Sequence, residues 1–192
     1  MNRDLEKLKE RLHEISHLGS LLALALWDQE VHMPRKGTDA RARAISYLSA
    51  TIHNKFIAID SHNLLSKLVK AMESKASKIK GSDRVIISET WRTYIREKKL
   101  PEKFVRELSE TCSKAQSIWA KARKNNDFNL FLPYLQKIVN LKKQEARYIG
   151  YKESPYDALL DSSEPGMTGR EVSEIFDGFK TFLIPFLKKI RE

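Results

Sequence analysis

His13-Glu14-Ile15-Ser16-His17 sets two imidazoles four residues apart with a carboxylate between them. On a helix such a pair can grip a zinc ion while the glutamate serves as general base for a bound water. That chemistry needs three protein ligands in a shaped, partly dry cavity. No third ligand is nominated here by spacing. The helix that carries the motif also turns it the wrong way. Leu5, Leu8, Leu12, Ile15, Gly19, Leu22 and Leu26 are spaced 3, 4, 3, 4, 3, 4, which marks one core-facing seam. At 100° per residue, His13 and His17 fall roughly 130–170° from that seam, and Glu14 about 130° away on the other flank. All three are expected to face solvent, as a surface pair rather than a metal site.

The remaining reactive side chains are read in the same way. His32 lies in a polar junction and reads as a structural histidine with satisfied hydrogen bonds, close to any cleft there. Asp157 and Asp161 are i, i+4 carboxylates, a spacing compatible with paired acid–base work. Helix ends commonly carry such acids. Cys112 sits at an apolar-flanked helical position without a neighbouring base, so an inert core thiol is expected. There is no G-x-S-x-G elbow, no G-x-G-x-x-G and no Walker loop.

The elements that must position these groups are helices. Seven glycines and six prolines in 192 residues are too few for a turn-rich β architecture. A 41% hydrophobic content suffices for a sizeable core. The net charge of +10 raises the question of nucleic acid. No run of five like charges appears, however, and no nucleic-acid module is recognisable, so the cations read as solvated helix faces and nucleic acid is not expected as a partner. The longest apolar run, Leu21 to Trp27, falls far short of the roughly 20 residues that span a bilayer. Acids at Asp4, Glu6, Glu10 and Glu14 are wrong for the basic start of a signal peptide. With one cysteine and no disulfide framework, a cytoplasmic, reducing location is expected.

Element by element, the chain reads as all-α, a bundle of about seven or eight helices. The seam helix comes first. Thr38 can cap a second helix carrying Ile45, Leu48, Ile52 and Phe56. Asp60 or Ser61 opens a third, with Leu64, Leu65, Leu68, Val69 and Met72 inward. Gly81-Ser82-Asp83 is a stop-and-cap signal before a fourth helix through Trp91 and Ile95. Pro101 marks the start of a fifth, with Phe104, Leu108, Thr111, Ala115, Ile118 and Ala122 on one face. A sixth runs from Phe131 to Ile149 and ends at Gly150. Ser154-Pro155 caps a short seventh. Thr168-Gly169-Arg170-Glu171 fits a capping box for the last helix, whose apolar side holds Val172, Ile175, Phe176, Phe179, Leu183, Phe186 and Ile190, with a bend expected at Pro185. Leu187 to Glu192 is still in helical period at the end of the sequence, so residues 1–192 read as an N-terminal helical region cut inside its last helix.

Trp27 to Pro34 reads WDQEVHMP. A buried tryptophan needs an acceptor for its indole N–H, and Asp28, Gln29 and Glu30 offer some, so a packed polar junction between helices is expected. As a motif the segment resembles the WDQE-x-x-MP stretch of the thermostable (Taq-type) zinc metallocarboxypeptidases. Lys124 to Phe128 (KNNDF), Ser154 to Asp161 (SPYDALLD) and Glu164 to Thr168 (EPGMT) resemble further landmarks of that family in the same order. Arg35-Lys36-Gly37 departs from the Pro/Gly-rich turn usual after MP, which leaves the shape of that loop open.

The resemblance implies the N-terminal part of a zincin-like helical metallopeptidase that removes C-terminal residues from peptides. Family members are more than twice this length. Their zinc-binding H-E-x-x-H helix, later acidic ligand and substrate-carboxylate residues lie in the second half. No catalytic, cofactor-binding or metal-ligating residue is therefore assigned in this chain, and no cofactor is expected in it. Zinc, alternatively cobalt, belongs to the complete enzyme, as does the peptide substrate. A separately encoded C-terminal half and a homo-oligomer stay open as partners. The alternative reading is a basic helical interaction module, for protein or nucleic acid, derived from the family's front half.

Overall fold

A computed structural model describes residues 2–74 and 77–191; Glu192, part of the helical ending noted above, lies outside them. Among the described residues the chain is all-α. The helices are α1 (Asn2–Val31), α2 (Thr38–Ile57), α3 (Leu64–Glu73), α4 (Gly81–Glu97), α5 (Glu102–Asn125), α6 (Phe128–Ile149), α7 (Pro155–Leu160) and α8 (Gly169–Arg191). Two 3-10 turns, Arg35–Gly37 and Ala58–Asn63, flank α2. Two compact units are formed, Met1–Leu141 and Lys142–Glu192.

In the first unit the core joins α1, α3 and α4. Leu5 and Leu8 of α1 pack with Ile59, Leu65, Leu68, Val69, Met72 and Ile87, and with Leu12, Ile15, Phe56, Trp91 and Tyr94 at the margin. The α1 seam is thus buried at its start and thins toward its end, where Leu26 is exposed. Lys9 of α1 pairs with Asp83 of α4 at 3.0 Å, and the carboxylate raises the lysine's affinity for its proton. The most extensive helix pair is α2 with α5. Small residues are buried on both helices (Ala42, Ser46 and Ala50 on α2; Thr111, Ala115 and Ala122 on α5), which lets backbones approach closely. Ser46 donates its hydroxyl hydrogen across the pair to the Arg106 carbonyl at 2.9 Å.

The helix boundaries show where local chemistry acts. Asp60 accepts from the Ser66 amide at 2.8 Å and its hydroxyl at 2.6 Å, so it ties down the first turn of α3, which begins at Leu64 after His62 and Asn63 in the left-handed region. Gly81 does not end α3. That helix stops at Glu73, and Arg84 donates to the Met72 carbonyl at 3.1 Å. A side chain from the next helix thus satisfies a terminal carbonyl of α3 in place of a glycine turn. Gly81, at φ 58°, instead opens α4. Asn126 holds the left-handed position at the end of α5, and the Asp127 amide reaches back to the Ala122 carbonyl at 2.9 Å. The Asp127 carboxylate then accepts the Leu130 amide at 3.3 Å, which starts α6 three residues before the position read from the sequence. KNNDF is, physically, a helix-to-helix joint.

In the second unit Gly150, at φ 84°, ends α6, its amide bonded to the Ala146 carbonyl at 2.8 Å. Ser154 and Asp157 form a reciprocal capping box on α7. Asp157 also accepts the Gly169 amide at 2.8 Å, and Asp161 accepts the Gly166 amide at 3.0 Å. The Thr168 amide donates to Glu171 at 2.8 Å and the Glu171 amide to the Thr168 hydroxyl at 3.2 Å, the box expected at the start of α8. That helix continues unbroken through Pro185, and none of its described residues is buried.

Candidate functional site

The end of α1 meets α2 and α5 in a polar junction built from the WDQEVHMP segment. Gln29 is buried, and the Ser113 hydroxyl of α5 donates to its Oε1 at 2.5 Å while its Nε2 donates to the Ser113 carbonyl at 3.3 Å. Asp28 pairs with Arg41 of α2 at 2.5 Å, and the same guanidinium donates to the Ala25 carbonyl at 2.6 Å. Arg41 therefore fixes an acid and a backbone carbonyl in the last two turns of α1 together, as a charge-assisted fork can. The Arg35–Gly37 turn continues the junction. Thr38 donates to the Arg35 carbonyl at 3.0 Å and lies 3.4 Å from the Ser117 hydroxyl. A Cβ on Gly37 would come within 3.2 Å of the Met33 side chain, so the glycine leaves room for that methionine. Lys114 of α5 binds Glu110 at 2.7 Å and reaches Asp39 at 3.6 Å; the Glu110 carboxylate raises its proton affinity. Gln29 and Asp28 are spent on α5 and α2, so the junction positions α1 rather than performing chemistry.

Trp27 departs from the expected buried indole. It is 54% exposed, with its ring edge-on to His32 at 5.0 Å. Asp28 and Gln29, expected as its partners, are directed to Arg41 and Ser113 instead. His32 is likewise exposed rather than enclosed.

His13, Glu14 and His17 are all exposed, on the side of α1 away from the seam. Glu14 is held by Lys55 of α2 at 2.5 Å. A carboxylate engaged by an ammonium is poorly placed to take a proton from water. Among the described residues, no three His, Cys, Asp or Glu side chains are grouped to hold a metal ion. Beside His13 and His17 the described residues supply no third ligand for a catalytic metal. Asp157 and Asp161 are committed to backbone amides, as caps and not as an acid–base pair. Cys112 is exposed, contrary to a core thiol, because the buried side of α5 is taken by Thr111, Ser113 and Ala115.

The most enclosed imidazole, His53, was not singled out by any motif. It is buried on α2, with Nε2 3.0 Å from the Leu100 carbonyl and Nδ1 3.2 Å from Glu97. A carbonyl only accepts, so Nε2 carries the hydrogen. The available signal was position, since His53 follows Ala42, Ser46 and Ala50 on the buried face of α2. Beside it Glu102 is held below the usual carboxylate range, first by the Asn54 amide at 2.8 Å and then by Arg106 at 2.6 Å.

Residues 7–192 match the family described as Carboxypeptidase Taq (M32) metallopeptidase. The chain belongs to that family. Among M32 relatives, it is 35% identical over 191 residues to thermostable carboxypeptidase 1 of Pyrococcus furiosus, covering 100% of this chain and 37% of that one. It is 33% identical over 179 residues to carboxypeptidase 1 of Bacillus subtilis, covering 93% and 35%. The crystal structure of BsuCP superposes with a TM-score of 0.89 at 31% identity, over 99% of this chain and 37% of that chain. A structure of Pyrococcus furiosus carboxypeptidase gives 0.79 at 33% identity, over 100% and 38%. The M32 chain described here thus spans little more than a third of the length of these relatives. No described helix is long and apolar enough to cross a membrane.

Proposed function

We propose that this chain is the N-terminal helical part of a zinc metallocarboxypeptidase, an enzyme that releases C-terminal amino acids from peptides, and that alone it is inactive. One observation carries the reading: residues 7–192 match the M32 family while covering only 35–38% of its relatives. The metal, zinc or alternatively cobalt, would be held by the remainder of the family's length. Exposed His13 and His17, with Glu14 on Lys55, support that division of labour. The role left to this chain is positional. Its helices would form one wall and the cover of the peptide cleft, with α1 held in register by Gln29, Asp28 and Arg41. The remainder of the family's length, in the same polypeptide or a separate one, would complete the cleft, and the peptide would be a substrate of the whole alone. One cysteine in 192 residues supports a cytoplasmic location.

The test is hydrolysis of blocked dipeptides by the purified chain, with and without added zinc or cobalt. No release of C-terminal residues is expected. Zinc-dependent release abolished by Glu14→Gln would overturn both the assignment of the chemistry elsewhere and the reading of His13 and His17 as a surface pair.

A further inference from the structure

The apolar character of α1 does not stop at its seam. Behind the seam lies a second stripe, His17, Leu21, Leu24, Asp28 and Val31, spaced 4, 3, 4, 3, with Trp27 on its flank. That spacing makes a heptad seam of its own. Leu21, Leu24, Trp27 and Val31 are between 54% and 57% exposed. A helix apolar on both faces belongs in the interior of something larger than the unit that carries it. The orientation of this stripe is fixed, because Gln29 is locked to Ser113 on the inward side and Asp28, within the stripe, is held by Arg41 of α2. The four apolar side chains therefore cannot be buried by rolling the helix.

We propose that this outer stripe of α1 is a docking surface, and that its occupant is an amphipathic α-helix from the polypeptide that completes the M32 fold. This rests on the function proposed above. The stripe's length selects a helix. His17 to Val31 spans about 21 Å at 1.5 Å per residue, one side chain wide, with the 4, 3 spacing that accepts knobs from a single helix laid along it. Family membership selects the source. This chain superposes over 99% of its length on a relative of which it covers 37%, so the larger part of such a chain is available to lie against faces that are bare here. The H-E-x-x-H motif takes on a different meaning in consequence. His17 heads the stripe, so the pair would sit at the rim of a helix–helix contact and not at a metal.

The test joins this chain to the portion of the Bacillus subtilis relative outside the matched segment, and compares that chimera with the chain alone. Leu24→Asp and Val31→Asp are made singly and together in both, with Val85→Asp, at an exposed position of α4, as control. In the isolated chain all variants are expected to melt as the parent does, since the altered side chains already face water. In the chimera, Leu24→Asp and Val31→Asp should lower the melting temperature by several degrees and Val85→Asp should not. Amide hydrogen exchange over residues 17–31 should slow in the unsubstituted chimera relative to the isolated chain. An active chimera indifferent to both aspartates, without added protection, would overturn the docking surface and leave the proposed function standing. A chimera that folds but releases no C-terminal residues would overturn the function on which it rests. Dimerisation of the isolated chain broken by Leu24→Asp, or its capture by zwitterionic lipid vesicles, would replace the occupant with a second copy or a membrane and so overturn the proposal.

Discussion

Ser113 has one hydroxyl hydrogen, and it goes to the buried amide oxygen of Gln29. Removing it strands an acceptor where water has little access. Ser113→Ala is therefore expected to destabilise the first unit by about 1–3 kcal/mol, the cost of an unsatisfied buried polar group. Adding Gln29→Leu should recover part of that loss, because an apolar pair leaves nothing unpaired. Urea unfolding of the two single variants and the double would check this, and a double variant weaker than the sum of the singles would contradict it. The contact joins residues 84 positions apart, so no spacing rule could have found it. The exposure of Trp27 escapes the sequence for the same reason: its neighbours in sequence are acceptors, but long-range partners claim them first. The surface orientation of His13 and His17 was legible, because it depends only on the periodicity of their own helix.

At the scale of elements, the caps were the clearest part of the sequence. Ser154, Thr168 and Gly150 act where local chemistry placed them, since each needs only residues within a turn. Gly81 was misplaced because α3 ends on an arginine from α4, a tertiary partner. The α8 box also carries a pH dependence. Hydrogen bonds from Thr168, the backbone amide foremost, hold the Glu171 carboxyl below its usual range. The folded carboxyl thus gives up its proton more readily than the unfolded one. Its contribution is complete above the ordinary glutamate value of 4.5 and fades as pH falls through the lower folded value. Helicity of wild type against Glu171→Gln, followed by circular dichroism from neutral to acid pH, should differ at neutral pH and converge in acid. A gap that widens on acidification would contradict the sign.

Taken whole, the molecule leaves a large apolar area in water. On α8, Ile175, Phe176, Phe179, Phe182, Phe186 and Ile190 are each between 47% and 64% exposed, while Leu183 is half-buried. Burial of one such side chain is worth roughly 1.5–3 kcal/mol, so six in water forgo a sum comparable to the stability of a domain. Patches of this kind find a partner or aggregate. The purified chain is therefore expected to be strongly helical yet to bind a hydrophobic dye and self-associate, and Phe179→Glu with Phe186→Glu should suppress both. A monomer with a sharp melt and no dye binding would contradict this.

Trp27 makes α1 its own optical reporter. An indole more than half in water, with an imidazole edge 5.0 Å away, should emit at long wavelength. With Trp91 and Trp119 replaced by phenylalanine, the remaining emission would come from a single fluorophore beside Val31. Arrival of any apolar neighbour there should move that emission to the blue and shield it from acrylamide, so the moment of assembly could be timed with light and no attached label.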